Sequence, residues 1–267
     1  NQKVKLKKNS KINIGYFSAD FFDHATLRLM MDIFKHHDKS IFDIHGFGYG
    51  PKKEDNYSKK LKTYLHDYNY IEELSSDEIH SLCEKNHIDI AIDLKGYTLN
   101  NRLEIFKKRI APIQISFLGY PGSTGLNTMD YIIADKTVIP EEYVKFYSEK
   151  VLFLPDCYQP NIKSKTISAK TITKEELGLT KGKFIFCSFN LNYKITEEMF
   201  NLWIEILKEA PNSILWILVS NKTAQNNLEK FAKTKGISAE RIIFAKYVSE
   251  SEHLNRMRFA DVFLDSF

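Results

Sequence analysis

In the stretch SADFFDHATLRLM, residues 18–30, Asp20 and His24 stand four residues apart where an alternating apolar run gives way to a helix-like pattern. An acid and an imidazole with this spacing at the end of a strand can hold a proton acceptor in a cleft. The same two residues also suit a helix cap and a packed histidine. Phe21 and Phe22 between them read as packing groups. Asn190 and Lys194 follow the run FIFCSF and precede a helix, which puts an amide and an ammonium where a phosphate would lie. A plain surface lysine would have the same neighbours. His253 and Arg256 lie at i and i+3 of a short helix and can approach one ligand together, as can an ordinary exposed polar face. The turn GYPGSTG, residues 119–125, is rich in glycine and hydroxyls. Its backbone can approach a ligand closely and offer N–H donors, or it can simply turn tightly. No Asp-x-Asp pair and no His/Cys cluster has the spacing of a metal site.

The elements that would position these groups alternate in period. KINIGYFS reads as a strand, residues 24–37 as a helix, FDIHGFGYG as a strand and residues 56–68 as a helix, followed by the short strand YNYIEEL. Ser75 and Glu78 have capping-box spacing and predict a helix to about Asn86. IDIAIDLKGY, a helix over about 101–108, IQISFLGY, DYIIADKTVI and VLFLPDCYQP complete a βαβ series, for which a mainly parallel sheet is expected. The Lys/Ser/Thr stretch that follows carries no apolar periodicity, and then the pattern restarts. FIFCSFN, SILWILVS and RIIFAKYV are strands, residues 197–210 and 225–235 helices, and Ser249 with Glu252 caps a short third helix before DVFLDSF. The expected fold class is therefore α/β with two Rossmann-like domains. Their boundaries are a basic arm at 1–10, a first domain at 11–160, a linker at 161–174 and a second domain at 175–267. The last of these stops on a strand with no covering helix, so more chain is expected to follow.

Composition narrows the partners. The 267 residues are 43% hydrophobic and 27% charged, with a surplus of only four positive charges, too small and dispersed to point to nucleic acid or a membrane surface. Three cysteines without paired spacing suggest neither a disulfide framework nor a zinc site and fit a reducing, cytoplasmic setting. No apolar run approaches the roughly 20 residues of a membrane span, and the lysine-rich start lacks the apolar core of a signal peptide.

Seven blocks in fixed order resemble the catalytic region of the O-linked N-acetylglucosamine transferase family, especially its bacterial members. They are GYFSADFFDHATLRLM, GYT, APIQISFLGYPGSTGLNTMDYIIAD, LPDCYQP, FCSFNLNYKI, PNSILWIL and RIIFAKYVSESEHLNR with ADVFLD, together covering about 11–267. The resemblance implies the GT-B architecture of two Rossmann-like domains across a cleft. It also implies an inverting, metal-independent transferase without a cofactor, which moves N-acetylglucosamine from UDP-GlcNAc to serine or threonine of a polypeptide. His24 matches the histidine of the family's His-Pro-Thr motif, which lies at the reacting centre and has been considered as a base, with Thr26 as its threonine and Ala25 in place of its proline. Asp20 matches an acid considered for proton relay, and Tyr97 matches the tyrosine of Gly-Tyr-Thr. Leu118, Gly119 and Pro121 match backbone lining the acceptor and sugar site. Lys194, with Asn190 and Tyr193 beside it, matches the lysine that contacts the donor diphosphate. His253 and Arg256 match groups near the uridine. Leu191 stands where members often have glutamine, and Glu250 where some have lysine. The family continues past ADVFLD with a Gly-His-Thr-Thr-Gly-type turn and usually places tetratricopeptide repeats before the catalytic region. The resemblance therefore implies a larger protein around this sequence.

Related donors and roles stay open at this point. Transfer of fucose from GDP-fucose keeps the fold and changes the nucleotide, and a non-catalytic nucleotide-sugar-binding module is a second alternative. A sugar-nucleotide epimerase fits the architecture but not the Gly-Tyr-Pro-Gly and Asn-Tyr-Lys blocks.

Overall fold

The computed structural model describes residues 11–161 and 167–266. The chain divides into two compact units, Asn1–Lys163 and Ser164–Phe267. The basic arm expected at 1–10 and positions 162–166 of the expected linker lie outside the described residues.

The first unit runs β1 (Ile12–Ser18), α1 (Ala25–His36), β2 (Phe42–Gly48), α2 (Asn56–Tyr64), β3 (Asp67–Tyr70), α3 (Ser76–Lys85), β4 (Ile90–Asp93), β5 (Ile113–Phe117), β6 (Tyr131–Ala134) and β7 (Lys150–Phe153). Its seven strands lie in the order β3-β2-β1-β4-β5-β6-β7, and every pairing is parallel. Helix α1 buries Leu27, Met30, Met31 and Phe34, the i, i+3, i+4, i+7 stripe of a helix lying on a sheet. These side chains join Tyr16 and Ile92 on one face, while Phe17, Phe47, Phe106, Ile79 of α3 and Cys83 fill the other. Neighbours in β1 thus point to opposite faces, and each fully buried side chain contributes about 1.5–3 kcal/mol. The Ser75/Glu78 capping box is formed. Helix α2 ends at Tyr64 rather than Tyr68, because Tyr68 is drawn into β3 beside Gly46. The helix expected over 101–108 is a short 3-10 turn, Leu103–Lys107.

The second unit runs β8 (Phe184–Ser188), α4 (Glu197–Glu209), β9 (Ser213–Leu218), α5 (Lys222–Thr234), β10 (Ile242–Ala245), α6 (Glu250–Met257) and β11 (Val262–Phe263). The strand order is β10-β9-β8-β11, again all parallel. Trp203 and Leu207 of α4 pack with Leu215 and Ile217 on one face, and Ile185, Ile214 and Trp216 fill the other. The Ser249/Glu252 capping box is formed. Residues 168–172 run along α6: Ser168 N–H donates to Ser251 O at 3.0 Å, and the carbonyls of Lys170 and Ile172 accept from Asn255 and Arg258.

The two units share one device. In each, the aspartate immediately before the fourth strand accepts the N–H of a residue in the first, Asp89 from Asn13 and Asp261 from Ile185, at 2.9 and 2.8 Å. This pins the strand pair at which the direction of winding reverses. In open parallel sheets that reversal, at the carboxyl ends of the strands, is where ligands bind.

Candidate active site

At the reversal in the first unit, the turns after β1 and β4 bring Asp20 and Lys95 together. Lys95 Nζ donates to Asp20 Oδ2 at 2.7 Å, with the two side chains only 7% and 8% exposed. Thr26 Oγ1 donates to the same oxygen at 3.3 Å. His24 is the N-cap of α1, where its Nδ1 accepts Thr26 N–H at 3.2 Å. A neutral imidazole that accepts through Nδ1 carries its proton on Nε2. The same Nδ1 lies 3.4 Å from Asp20 Oδ2 and would donate to it with the proton on Nδ1 instead, so His24, Thr26 and Lys95 all face one carboxylate oxygen. The turn that supplies Lys95 is fixed by Asp93, whose buried carboxylate accepts Lys95 N–H at 3.1 Å and Gly96 N–H at 2.7 Å. Burial pushes the Asp93 carboxyl up to about 6, against the pull of these two N–H donors and of the Lys95 ammonium.

The turn after β5 is strained. Leu118 sits at φ +70°, and Gly119 N–H closes back onto Phe117 O at 2.9 Å, a γ-turn of the unfavourable hand. A residue with a side chain in this region costs of order 1–3 kcal/mol and persists only where its surroundings impose it. Here they do. Gly119 packs so tightly that a Cβ on it would lie 2.2 Å from Leu94 O. Beyond it, the buried Glu149 ties down the loop: its carboxylate accepts Thr124 N–H at 2.7 Å, the Thr124 hydroxyl, and the Ser123 hydroxyl at 2.8 Å. Tyr97, more than half exposed, donates its hydroxyl to Thr124 O at 2.7 Å and meets Tyr120 edge-on at 5.7 Å. The Pro121 carbonyl accepts from the Tyr147 hydroxyl at 2.8 Å.

In the second unit the reversal lies between β8 and β11. Asn190 spans it, donating its amide to Asp265 Oδ1 at 2.9 Å and to Ser266 Oγ at 2.8 Å. Tyr193 and Lys194 follow on an exposed 3-10 turn, Asn192–Lys194. The Ser266 N–H, the Asn190 amide and the nearby Lys194 ammonium together hold the Asp265 carboxyl below its ordinary range. Arg256 is only 3% exposed. Its guanidinium lies over the rings of Phe189 and Trp216, at 4.9 and 5.6 Å, and donates to Lys246 O and to His253 Nδ1. Arg256 therefore fixes the half-buried His253 with its proton on Nε2.

A model of glycosyl transferase family 41 matches residues 1–161 and 161–267. The chain belongs to that family. It is 34% identical to the probable UDP-N-acetylglucosamine–peptide N-acetylglucosaminyltransferase SEC of Arabidopsis thaliana over 96% of its length, and 29% identical to SPINDLY of the same plant, also over 96%. It spans about a quarter of the length of these curated relatives, 27% and 28%. Among solved structures, an O-GlcNAc transferase variant from Thermobaculum terrenum shares the fold, with a TM-score of 0.81, 22% identity, and coverage of 96% of this chain and 48% of that one. The family resemblance and the GT-B-type fold expected from the sequence are thus borne out.

Within this family-41 chain, Asp20, His24 and Thr26 form one cluster, and Leu118, Gly119 and Pro121 line the neighbouring turn with Tyr97. Asn190, Tyr193 and Lys194 lie at the second reversal. His253 and Arg256 form a separate pair, in which the guanidinium is directed at the imidazole and Lys246 O. Lys95, Asp93 and Glu149 were not singled out from the sequence. The signal for the first was its place in the turn after IDIAIDL, at the strand ends where a ligand is expected, with no role assigned to the lysine itself. Among the described residues, no group of three or more His, Cys, Asp or Glu side chains is arranged to hold a metal ion, and no helix is long and apolar enough to cross a membrane.

Two measurable consequences follow from these carboxylate and imidazole environments. Burial raises the Glu149 carboxyl, but the hydrogen bonds from Thr124 and Ser123 outweigh it and leave it below its ordinary range. A depressed carboxylate stabilises the fold above its unfolded pKa, about 4.5, and loses that contribution as pH falls further. Glu149→Gln is expected to lower stability by about 1–3 kcal/mol at pH 7, the cost of unsatisfying a buried donor, and by less at pH 3. Chemical denaturation at the two pH values checks this, and an equal loss at both would refute it. For His253, burial and then Arg256 hold the imidazole below its ordinary range. The folded state therefore resists a proton that the unfolded chain accepts from about pH 6.5 downward, and stability falls as pH drops below that value. Replacing His253 by glutamine, which keeps an acceptor for Arg256 but does not titrate, is expected to flatten the fall in Tm between pH 7.5 and 5.5. A fall as steep as that of the wild type would show that other groups cause it.

Proposed function

We propose that this chain forms most of the sugar-transfer region of an enzyme that moves N-acetylglucosamine from UDP to serine or threonine hydroxyls of polypeptides, with inversion and without a metal ion. The observation that carries this reading is the 34% identity to SEC over 96% of the chain, a relative named for that transfer. The geometry fits it. An acceptor hydroxyl attacks the anomeric carbon, the bond to the UDP oxygen breaks, and the hydroxyl proton must leave. Of the two candidate bases, Asp20 is the one held in place by a buried ammonium and a hydroxyl, both on Oδ2, which leaves Oδ1 for the proton. Lys194 would stabilise the negative charge that grows on the departing diphosphate, and does so more in the transition state than in the ground state. The proposed partners are a nucleotide sugar and a polypeptide held by tetratricopeptide repeats elsewhere in the protein, with the cytoplasm as the compartment.

Leu191 and Glu250, which depart from donor-side residues of other members, make GDP-fucose the competing donor. Calorimetric titration of the full-length protein with UDP and with GDP separates the two. Tighter binding of UDP, together with transfer of radiolabelled N-acetylglucosamine to a protein acceptor, is the expected result. A preference for GDP would overturn the donor assignment, and binding of UDP without transfer or donor hydrolysis would favour a non-catalytic module.

A further inference from the structure

We propose that Lys95 is a positioning residue for Asp20: its ammonium clamps Oδ2 at the sheet reversal and so presents an ionised carboxylate whose Oδ1 receives the acceptor proton. This rests on the transfer reaction proposed above and assigns a role in it to a residue that acts through Asp20. Three observations carry it. First, Lys95 is buried, although a lysine side chain is almost never so unless it is paired, and Asp20 is its hydrogen-bond partner among the described residues. Second, the pair is built rather than incidental. The turn after β4 is locked by Asp93, the Asp20 backbone N–H donates to Ser18 Oγ at 3.0 Å, and the two strands lie side by side although Asp20 and Lys95 are 75 positions apart. Third, every polar side-chain contact of the Asp20 carboxylate within the described residues, from Lys95 Nζ, Thr26 Oγ1 and His24 Nδ1, goes to Oδ2, with the buried Tyr49 the further titratable group that feels its charge. The other oxygen is left for an incoming group.

Stability is a poor reason for such a pair. The cost of desolvating two ions largely cancels their attraction, and apolar residues of similar volume usually serve as well. Fixing a carboxylate is a better one. The clamp pairs the carboxylate with a cation and holds it in one orientation before substrate arrives.

The test is the pH dependence of kcat/KM in the full-length protein, compared between the wild type, Lys95→Met and Lys95→Arg, with UDP affinity measured alongside by calorimetry. In Lys95→Met, kcat/KM is expected to fall at least tenfold at pH 7 and its acidic limb to move to higher pH by about one unit or more, with UDP affinity unchanged. Lys95→Arg, which keeps the cation, is expected to keep the position of the limb. A limb that stays in place in Lys95→Met, or moves equally in both variants, overturns the proposal, because a merely structural lysine would alter stability without shifting a titration. Should Lys95→Met not fold, the comparison uses Lys95→Gln. If the wild type transfers no N-acetylglucosamine, the transfer reading fails on its own, and the Asp20 carboxyl carbon followed by NMR still decides the clamp. Its titration must move to higher pH in Lys95→Met, and an unmoved signal rejects it.

Discussion

Lys194→Ala in the full-length protein is expected to lower kcat about 10²- to 10³-fold, the usual cost of deleting one group aimed at developing charge. Lys194 is exposed on a 3-10 turn and is not part of the core of its unit, so its removal takes away charge and little packing. The free protein already places the Asp265 carboxylate near this ammonium, held in its charged form by Ser266 and Asn190. Exposed to solvent, the ammonium is screened in the free protein and adds little to binding of the intact donor. Its contribution grows as the bond to the sugar breaks and the diphosphate gains charge. The loss should therefore be larger in kcat than in donor KM. Lys194→Arg is expected to recover part of the rate, since a guanidinium brings the charge but not the shape. Steady-state kinetics with saturating acceptor measure both. A variant whose loss lies wholly in KM would show that Lys194 binds substrate and transition state alike.

Gly119→Ala is expected to disrupt both the fold of the first unit and the reaction. The added Cβ would lie 2.2 Å from Leu94 O and 3.0 Å from Lys95 Cα, both backbone atoms, so no change of rotamer relieves the overlap. Overpacking of this kind costs about 1–3 kcal/mol and sometimes more. The backbone that must yield is the turn carrying Lys95. A displacement of ~1 Å there would carry the clamp away from Asp20, and misplacements of that size can cost about 10²-fold in rate. The expected signature is a lower Tm combined with a kcat loss that persists well below the new Tm. If Gly119→Ala lowers Tm but keeps wild-type turnover at low temperature, the two turns are not coupled.

Much of this arrangement was legible in the sequence where it depends on neighbours along the chain. Period changes located the strands, and Ser75 with Glu78 and Ser249 with Glu252 marked two helix starts that the structure realises as capping boxes. Asp20 and His24 announced themselves by standing together after a strand. Lys95 did not, because its partner lies 75 positions away and only the pairing of β1 with β4, strands not consecutive in the chain, joins them. Arg256 shows the opposite difficulty. Its spacing from His253 suggested two groups reaching for one ligand, yet Phe189 and Trp216, from other elements, cover it and leave the imidazole as the more accessible member. The end of α2 was misplaced for a similar reason: nothing local stops the helix at Tyr64, and the pairing of Asp67 and Tyr68 beside β2 decides the matter.

The unfavourable turn at Leu118 bears on how such a protein can be engineered. Glycine adopts φ +70° without the clash that any other side chain meets there, so selection for heat tolerance alone would be free to relax this position. Catalytic sites commonly sacrifice durability for geometry in this way. A thermostability screen run without an activity readout would therefore be drawn toward the β5 turn, and the hardiest clones from it would be the ones to distrust as catalysts.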